Sequence, residues 1–297
     1  IEKARSSILR GRTMEIKENE ILANHSTFRI GGPARYFVVA KSREEILEAI
    51  NFAKEKSLPF FAFGGGSNIL FRDEGFSGVA IKLSVVSYQL SDTKIIVGAG
   101  MSLAQVIIKS VDAGLAGLEW GVGIPGTIGG CVAGNCGAYG HDISESVESV
   151  SVLDENGAIK KYSKTECGFN YRESVFKRSD KKEIILEIEL ALNAGDKEKS
   201  KAEIKNTMEN RKGKIPPYPS IGSIFKNPKP LVARKLIEEC GLKGEKNGGA
   251  QVSELHANFI VNLGGAKAAD VLALIDTCKE KVREKFKIDL EEEIVII

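Results

Sequence analysis

The stretch FAFGGGSNILF, residues 61–71, sets three glycines, a serine and an asparagine between two apolar runs. A hairpin needs only two turn residues, usually Asn-Gly or Asp-Gly. Each glycine loses about 0.5–1 kcal/mol against alanine in backbone entropy on folding. A ligand that needs backbone N–H groups at close range, such as a phosphate, would offset that cost. A strained surface loop is the competing explanation, and this stretch alone does not separate the two.

Around it the chain reads as a small α/β unit. ARYFVVA (34–40) has the composition of a strand, and the stretch from Ser42 to Leu58 that of a helix. Ser42 with Glu45 three positions on predicts a capping box, and Ile46, Ala49, Ile50 and Ala53 recur at helical spacing. PFFAF (59–63) and GVAIKL (78–83) are strands, so the glycine loop follows a strand that follows a helix.

The next block carries a strand in KIIVGAG (94–100) and a helix from Ser102 that stops at Gly114. Residues 146–163 form two strands around a turn at Asp154-Glu155-Asn156-Gly157. KEIILEIELAL (182–192) is a longer strand, and a charged helix covers about 197–212. The prolines of GKIPPYPSIGS mark a change of domain. The remainder reads helix, strand, helix, strand, ending in EEIVII (292–297). The fold class is α+β, divided as 1–83, 84–212 and 213–297.

Bulk properties narrow the function. A chain of 297 residues holds two or three domains, and 42% hydrophobic with 28% charged residues is ordinary for a globular protein. A net charge of +2 without a basic block gives no nucleic-acid footprint. Five irregularly spaced cysteines match no zinc pattern, which favours reduced thiols and a cytoplasmic protein. Three scattered histidines argue against a metal site. No apolar stretch approaches the roughly 20 residues of a membrane span. The N-terminal IEKARSSILRGR lacks the apolar core of a secretory signal.

A second glycine cluster, GVGIPGTIGGCVAGNCGAYG (121–140), satisfies G-x-G-x-x-G literally at Gly121–Gly126. The dinucleotide fingerprint also requires a buried strand before it and a helix after it. Here GLEW precedes and further glycines follow, so a Rossmann site is rejected. Two separated glycine segments suit one large ligand, such as a flavin dinucleotide with a pyrophosphate and a flat ring.

At this point the chain resembles a known family. NHSTFRIGGPA, FGGGSNIL, GIPGTIGG, NCGAYG, FNYRES and PSIGSIFKNP fall in the order found in UDP-N-acetylenolpyruvoylglucosamine reductases, the MurB family. GGAQVSELHANFIVN and the closing LEEEI continue the match, which runs from about Asn24 onward. The resemblance implies a two-subdomain FAD-binding fold of the vanillyl-alcohol-oxidase type and a C-terminal α/β substrate-binding domain. It also implies that NADPH reduces a non-covalent FAD, whose N5 gives hydride to C3 of UDP-N-acetylglucosamine enolpyruvate. Protonation at C2 then completes UDP-N-acetylmuramate, a peptidoglycan precursor. No obligate protein partner is expected. Only 51 positions separate Arg172 from Ser223, too few for the insertion of the longer subgroup, so the shorter one is the match.

The resemblance assigns residues one by one. Arg172 matches the catalytic arginine, Ser223 the proton donor to C2, and Glu293 the glutamate that stabilises the developing enol. Gly64, Gly65, Gly66, Ser67 and Asn68 become the pyrophosphate loop. Gly126, Thr127, Gly129, Gly130, Asn135 and Gly137 run along the flavin, and Lys214 and Asn227 contact substrate. The chemistry agrees, since hydride at C3 leaves charge on C2 and the adjacent carboxylate that a guanidinium stabilises. Read without the resemblance, Arg172 is a surface turn residue, Ser223 a turn serine and Glu293 one of three glutamates before a strand. Two other readings stand beside it: a flavin oxidase acting on another substrate, and a nucleotide-binding protein without catalysis. The sequence departs from the family at Cys136, usually alanine, at Glu292, usually proline, and at Val295, usually arginine.

Overall fold

The computed structural model describes residues 6–7, 14–178 and 182–297. Of the N-terminal stretch read above as no secretory signal, all but Ser6–Ser7 lies outside these residues. Strands β1 (Ser6–Ser7), β2 (Ile16–Ile21) and β3 (Pro33–Ala40) precede helix α1 (Arg43–Glu55), which leads to β4 (Phe60–Phe63). Beyond the glycine loop come β5 (Ile69–Leu70) and β6 (Phe76–Leu83). A five-stranded sheet runs β1-β2-β3-β6-β4, with β4 parallel to β6 and Phe60 opposite Val79.

The Ser42 hydroxyl caps α1 by accepting from the Glu45 N–H at 3.2 Å. The Glu45 carboxylate, however, accepts from Lys41 N–H at 2.6 Å, one residue before the position a capping box requires. Ile46, Ala49, Ile50 and Ala53 are buried as their spacing predicts, and they pack with Val38, Val79 and Ile81. Each large side chain buried this way contributes about 1.5–3 kcal/mol.

Strands β7 (Tyr88–Ser91) and β8 (Lys94–Gly98) form a hairpin before helix α2 (Leu103–Asp112). Helix α3 (Ile128–Ala133), strands β9 (Val147–Leu153), β10 (Ile159–Ser163) and β11 (Ile184–Ala191), and helix α4 (Lys197–Arg211) follow. Their sheet is antiparallel throughout, in the order β10-β9-β11-β8-β7. Its core joins Ile95, Val97, Val150 and Ile188 to Leu103 and Val106 of α2 and to Ile128 and Val132 of α3. The turn after β9 closes as expected, Gly157 N–H donating to the Asp154 carbonyl at 3.0 Å.

Beyond α4 come α5 (Ala233–Glu239), β12 (Lys246–Asn247), β13 (Ala250–Val252), β14 (Ile260–Asn262), α6 (Ala268–Phe286) and β15 (Val295–Ile296). β12, β13 and β14 form an antiparallel sheet. The closing strand is shorter than EEIVII suggests, and it pairs in parallel with β5, Val295 opposite Ile69.

Contacts group the chain into two compact units. Unit 1 takes residues up to Glu18, Tyr36–Gly65 and Gly78–Arg211; unit 2 takes Asn19–Arg35, Gly66–Ser77 and Lys212–Ile297. Unit 1 contains both cores just described. Unit 2 has a core of its own, in which Phe28, Ile30 and Leu70 join Ile237, Val252, Ile260 and Val271. Asn262 secures the early segment by donating to the Phe28 carbonyl at 3.0 Å, and Thr27 donates its hydroxyl to the Ser220 carbonyl at 2.7 Å. NHSTFRIGGPA thus packs with residues some two hundred positions later, which a division into consecutive blocks leaves out.

Candidate functional site

In unit 1 the two glycine segments meet. A Cβ on Gly64 would collide with the side chain of Thr127, and one on Gly65 would lie 3.1 Å from Cα of Gly126. Only bare backbone permits that approach. Gly126 O accepts from Leu103 N–H at 3.1 Å, and Thr127 Oγ1 caps α3 by accepting from Gly130 N–H at 3.3 Å. A helix therefore does follow the G-x-G-x-x-G motif, contrary to the sequence argument. A 3-10 turn at Glu119–Gly121 precedes it in place of the buried strand a dinucleotide fingerprint needs.

The glycines of α3 serve different ends. A side chain at Gly129 would lie 2.7 Å from the Ala99 methyl, so protein packing alone demands glycine there. At Gly130 and Gly134 an added Cβ would meet nothing nearer than 3.6 Å. Gly134 is the residue that caps the end of α3, and its N–H donates to the Gly130 carbonyl at 3.1 Å, so the two lie one turn apart on the same side of the helix end. That strip carries no side chain although the protein has room for one, which suits a flat aromatic ring. The residues present fit a flavin.

Arg172 occupies the third position of a tight turn, with Glu173 N–H donating to the Asn170 carbonyl at 3.0 Å. Its φ is +57°, where glycine is the ordinary occupant of such a turn. Nη1 donates to the Asn135 carbonyl at 3.4 Å and Nη2 to the Gly137 carbonyl at 2.6 Å. Asn135, itself at φ +44° and 2% exposed, turns its side chain into the protein. Its amide donates to the Asn170 carbonyl at 2.9 Å, and its Oδ1 accepts from Ser144 N–H at 3.2 Å. Asn135 thus braces the arginine turn. Ser174, fully buried, adds a hydroxyl bond to the Ala133 carbonyl at 2.7 Å. Sequence reading passed over Ser174, whose only signal was its place two residues after Arg172.

The expectation of five reduced thiols is corrected here: Cys131 and Cys136 are joined as a disulfide, their Cα atoms 4.8 Å apart. The turn at the end of α3 folds the two back on each other, Cys136 N–H donating to the Cys131 carbonyl at 2.8 Å. Cys167, Cys240 and Cys278 are free.

Unit 2 holds the rest of the segment expected to meet the pyrophosphate and two catalytic candidates. Gly66, at φ +62°, leaves no room for a Cβ against the His25 carbonyl. Its own carbonyl accepts from Thr27 N–H and the Ser26 hydroxyl, each at 3.2 Å. Ser67 is half-buried. The Asn68 amide donates to the Glu293 carbonyl at 3.2 Å, and the Asn68 carbonyl accepts from Val295 N–H at 3.0 Å. This asparagine therefore positions the glutamate segment.

Residues 224–226 and 291–293 pair as antiparallel backbones, with Lys226 N–H donating to the Glu291 carbonyl at 2.8 Å. Ser223 adjoins this pairing and bridges to Phe259. Asn258, buried and absent from the sequence-derived set, clamps the segment: its Oδ1 accepts from Phe225 N–H at 2.9 Å and its Nδ2 donates to Phe225 O at 2.8 Å. Asn227 Oδ1 accepts from Ala233 N–H at 3.0 Å and so starts α5, a structural duty beside its expected substrate contact. Lys214 is exposed. His256 stacks edge-on against Phe259 at 4.7 Å, and burial pushes its imidazole down to about 4, with Arg234 adding to the effect. Among the described residues no cluster of His, Cys, Asp and Glu could hold a metal ion.

Comparison with known proteins places these features. Residues 34–163 match the family model of an FAD binding domain, and 215–297 that of the UDP-N-acetylenolpyruvoylglucosamine reductase C-terminal domain. The reductase of Clostridium novyi is 41% identical over 95% of this chain and 92% of its own. That of Bacillus subtilis is 41% identical over 95% and 94%. The crystal structure of the Thermus caldophilus reductase superposes with a TM-score of 0.81 at 36% identity, covering 95% of this chain and 99% of its own.

Proposed function

Because this chain belongs to the UDP-N-acetylenolpyruvoylglucosamine reductases, FAD-dependent oxidoreductases of peptidoglycan synthesis, we propose that Arg172, Ser223 and Glu293 carry its reaction. The three-part division 1–83, 84–212 and 213–297 is proposed with them, the first two parts holding FAD and the last the substrate. When bound, FAD supplies the hydride, received from NADPH and delivered from N5 to C3 of the enolpyruvyl group. Gly64 to Asn68 would take the pyrophosphate and the strip at Gly130 and Gly134 the ring, with Gly126, Thr127, Gly129 and Gly137 as backbone around it.

Arg172 holds the substrate carboxylate and stabilises the charge that grows there as C3 gains hydride. Ser223 delivers a proton to C2 from its hydroxyl. A positioned hydroxyl suffices when the acceptor is a carbanion-like carbon. Glu293 supports the enol-like state. Lys214 and Asn227 bind the nucleotide-sugar portion. The observation that carries this reading is the left-handed Arg172, held by two carbonyls of the segment assigned to the flavin. Such a conformation costs about 1–3 kcal/mol and persists where the surrounding structure over-determines it, as the two carbonyls do here.

A small-molecule nucleotide-sugar substrate needs no protein partner. No described helix is long and apolar enough to cross a membrane, and the reductant and substrate proposed here place the enzyme in the cytoplasm. The test is NADPH oxidation with and without UDP-N-acetylglucosamine enolpyruvate, beside acid precipitation of the yellow protein. Substrate-dependent oxidation with flavin left in the supernatant is expected. Flavin retained on the precipitated chain would favour the oxidase alternative.

A further inference from the structure

We infer that Cys131 and Cys136 form a reversible thiol–disulfide site that fixes the Asn135–Gly137 backbone and, through its carbonyls, the guanidinium of Arg172. The inference rests on the role proposed above for Arg172 only in its consequence for turnover. Its structural part stands on unit 1 alone.

Cys131 is 7% exposed and packed in the core with α2 and the antiparallel sheet, whereas Cys136 is half-buried at the rim of that core. Opening a disulfide separates the sulfurs from about 2 Å to a non-bonded spacing of about 3.5–4 Å. A close-packed interior does not yield by that much, so the displacement falls on Cys136. Its neighbours on either side are the two residues whose carbonyls hold Arg172. Asn135 also bonds the Asn170 carbonyl, at the other end of the arginine turn. Movement at Cys136 therefore reaches Arg172 by two routes, through the carbonyls it donates to and through the turn that carries it.

The exchange balances with a dithiol reductant. Its thiolate attacks the Cys136 sulfur, the less buried of the two, and Cys131 leaves as a thiolate that takes up a proton. The second thiol of the reductant then cleaves the mixed disulfide and frees Cys136. The reductant ends as a disulfide, and two electrons and two protons rest on the pair. A small disulfide oxidant reverses each step. The other three thiols are free. Cys167 and Cys278 are buried, which pushes them up to about 11 and about 12 and keeps them protonated at neutral pH, and burial also raises Cys240.

Purified holoprotein is equilibrated with reduced or oxidised dithiothreitol, alkylated and mapped by peptide mass, and both states are followed by hydrogen exchange. Cys131 and Cys136 should change together, while the other three cysteines, alkylated after denaturation, are found as free thiols in both states. Reduction should speed exchange in peptides covering 134–139 and 169–175, and Cys136→Ala should show the fast pattern under both conditions. Turnover should fall by about 3–10-fold on reduction, less than the roughly hundredfold loss of a full ångström of misplacement. A pair that stays reduced in excess oxidised dithiothreitol overturns the proposal. So does identical exchange at 169–175 in the two states. Absence of enolpyruvyl turnover in both states would instead count against the functional assignment, with the mass and exchange results still deciding the cysteine site.

Discussion

The backbone N–H of Glu293 donates to the carbonyl of Ile224 at 2.8 Å, one residue beyond Ser223. This bond fixes the register between the glutamate run and the serine segment within unit 2. Glu291 pairs with Lys226 at 2.6 Å and Glu292 with Lys279 at 2.9 Å, and the Glu293 backbone is tied to Ile224 and Asn68.

With its backbone held beside Ser223 and the role proposed above, Glu293→Gln should lower turnover by orders of magnitude while flavin content and reduction by NADPH survive. Glu291→Gln and Glu292→Gln each lose an ion pair at least partly open to water, worth about 0–1 kcal/mol, and should stay within a few-fold of the parent. Steady-state and half-reaction kinetics of the three variants check this. A severe Glu291→Gln would shift the catalytic register by two residues.

Ser223→Ala should separate the half-reactions. NADPH still reduces the flavin, but reoxidation by the enolpyruvyl substrate should slow by about 10²–10⁴-fold, the usual contribution of a positioned acid. Stopped-flow absorbance resolves the two steps. Equal losses in both would mark Ser223 as structural.

Arg172→Gly puts the usual residue into the left-handed turn. Relief of that conformation is worth about 1–2 kcal/mol, and the two lost bonds, given by a charged donor, cost about 1.5–3 kcal/mol each. The fold should survive with a net loss of about 1–5 kcal/mol, whereas turnover should drop at least 10²-fold, the scale for removing one charge-stabilising donor. Denaturant midpoints and kcat together decide; large unfolding would show that Arg172 is there for the fold.

His256 gives unit 2 a pH dependence of known sign. Its folded pKa of about 4 lies below the unfolded value of about 6.5, so the unfolded chain binds the proton first as pH falls. The neutral imidazole's full contribution is present above about 6.5 and is lost progressively down to about 4. His256→Gln should shrink the fall in thermal midpoint between pH 7.5 and 4.5. An unchanged fall would place the dependence on other groups.

Much of this was legible in the residues. Helices α1 and α2 follow from their apolar spacing and serine caps, and the Asp154–Gly157 turn from its composition. Helix α3 did not, because IGGCVA pairs two glycines with a six-residue length that leaves no periodicity to read. Strand β15 is two residues long and owes its pairing to a partner far along the chain. At the site, the close approach of Gly64 and Gly65 to Gly126 and Thr127 agrees with the shared-ligand reading of the two loops. The inward roles of Asn135 and Asn68 were hidden, since residue type alone cannot say whether an amide serves a ligand or the backbone. The disulfide escaped for a similar reason. Spacing of five residues says nothing until the turn after α3 brings the two chains of atoms together.

Unit 2 is assembled from three separated segments, and this sets an order of events during synthesis. Ile69 and Leu70 leave the ribosome more than two hundred residues before Val295 and Ile296, the strand that pairs with them. Until those arrive, Phe28, Ile30 and Leu70 lack most of the partners that bury them. Non-local pairing of this kind folds late and leaves apolar surface waiting. The nascent chain carries an unpaired edge and an uncovered core through most of translation, so slowing the synthesis of residues 212–297 should raise aggregation of this protein more than slowing any earlier stretch.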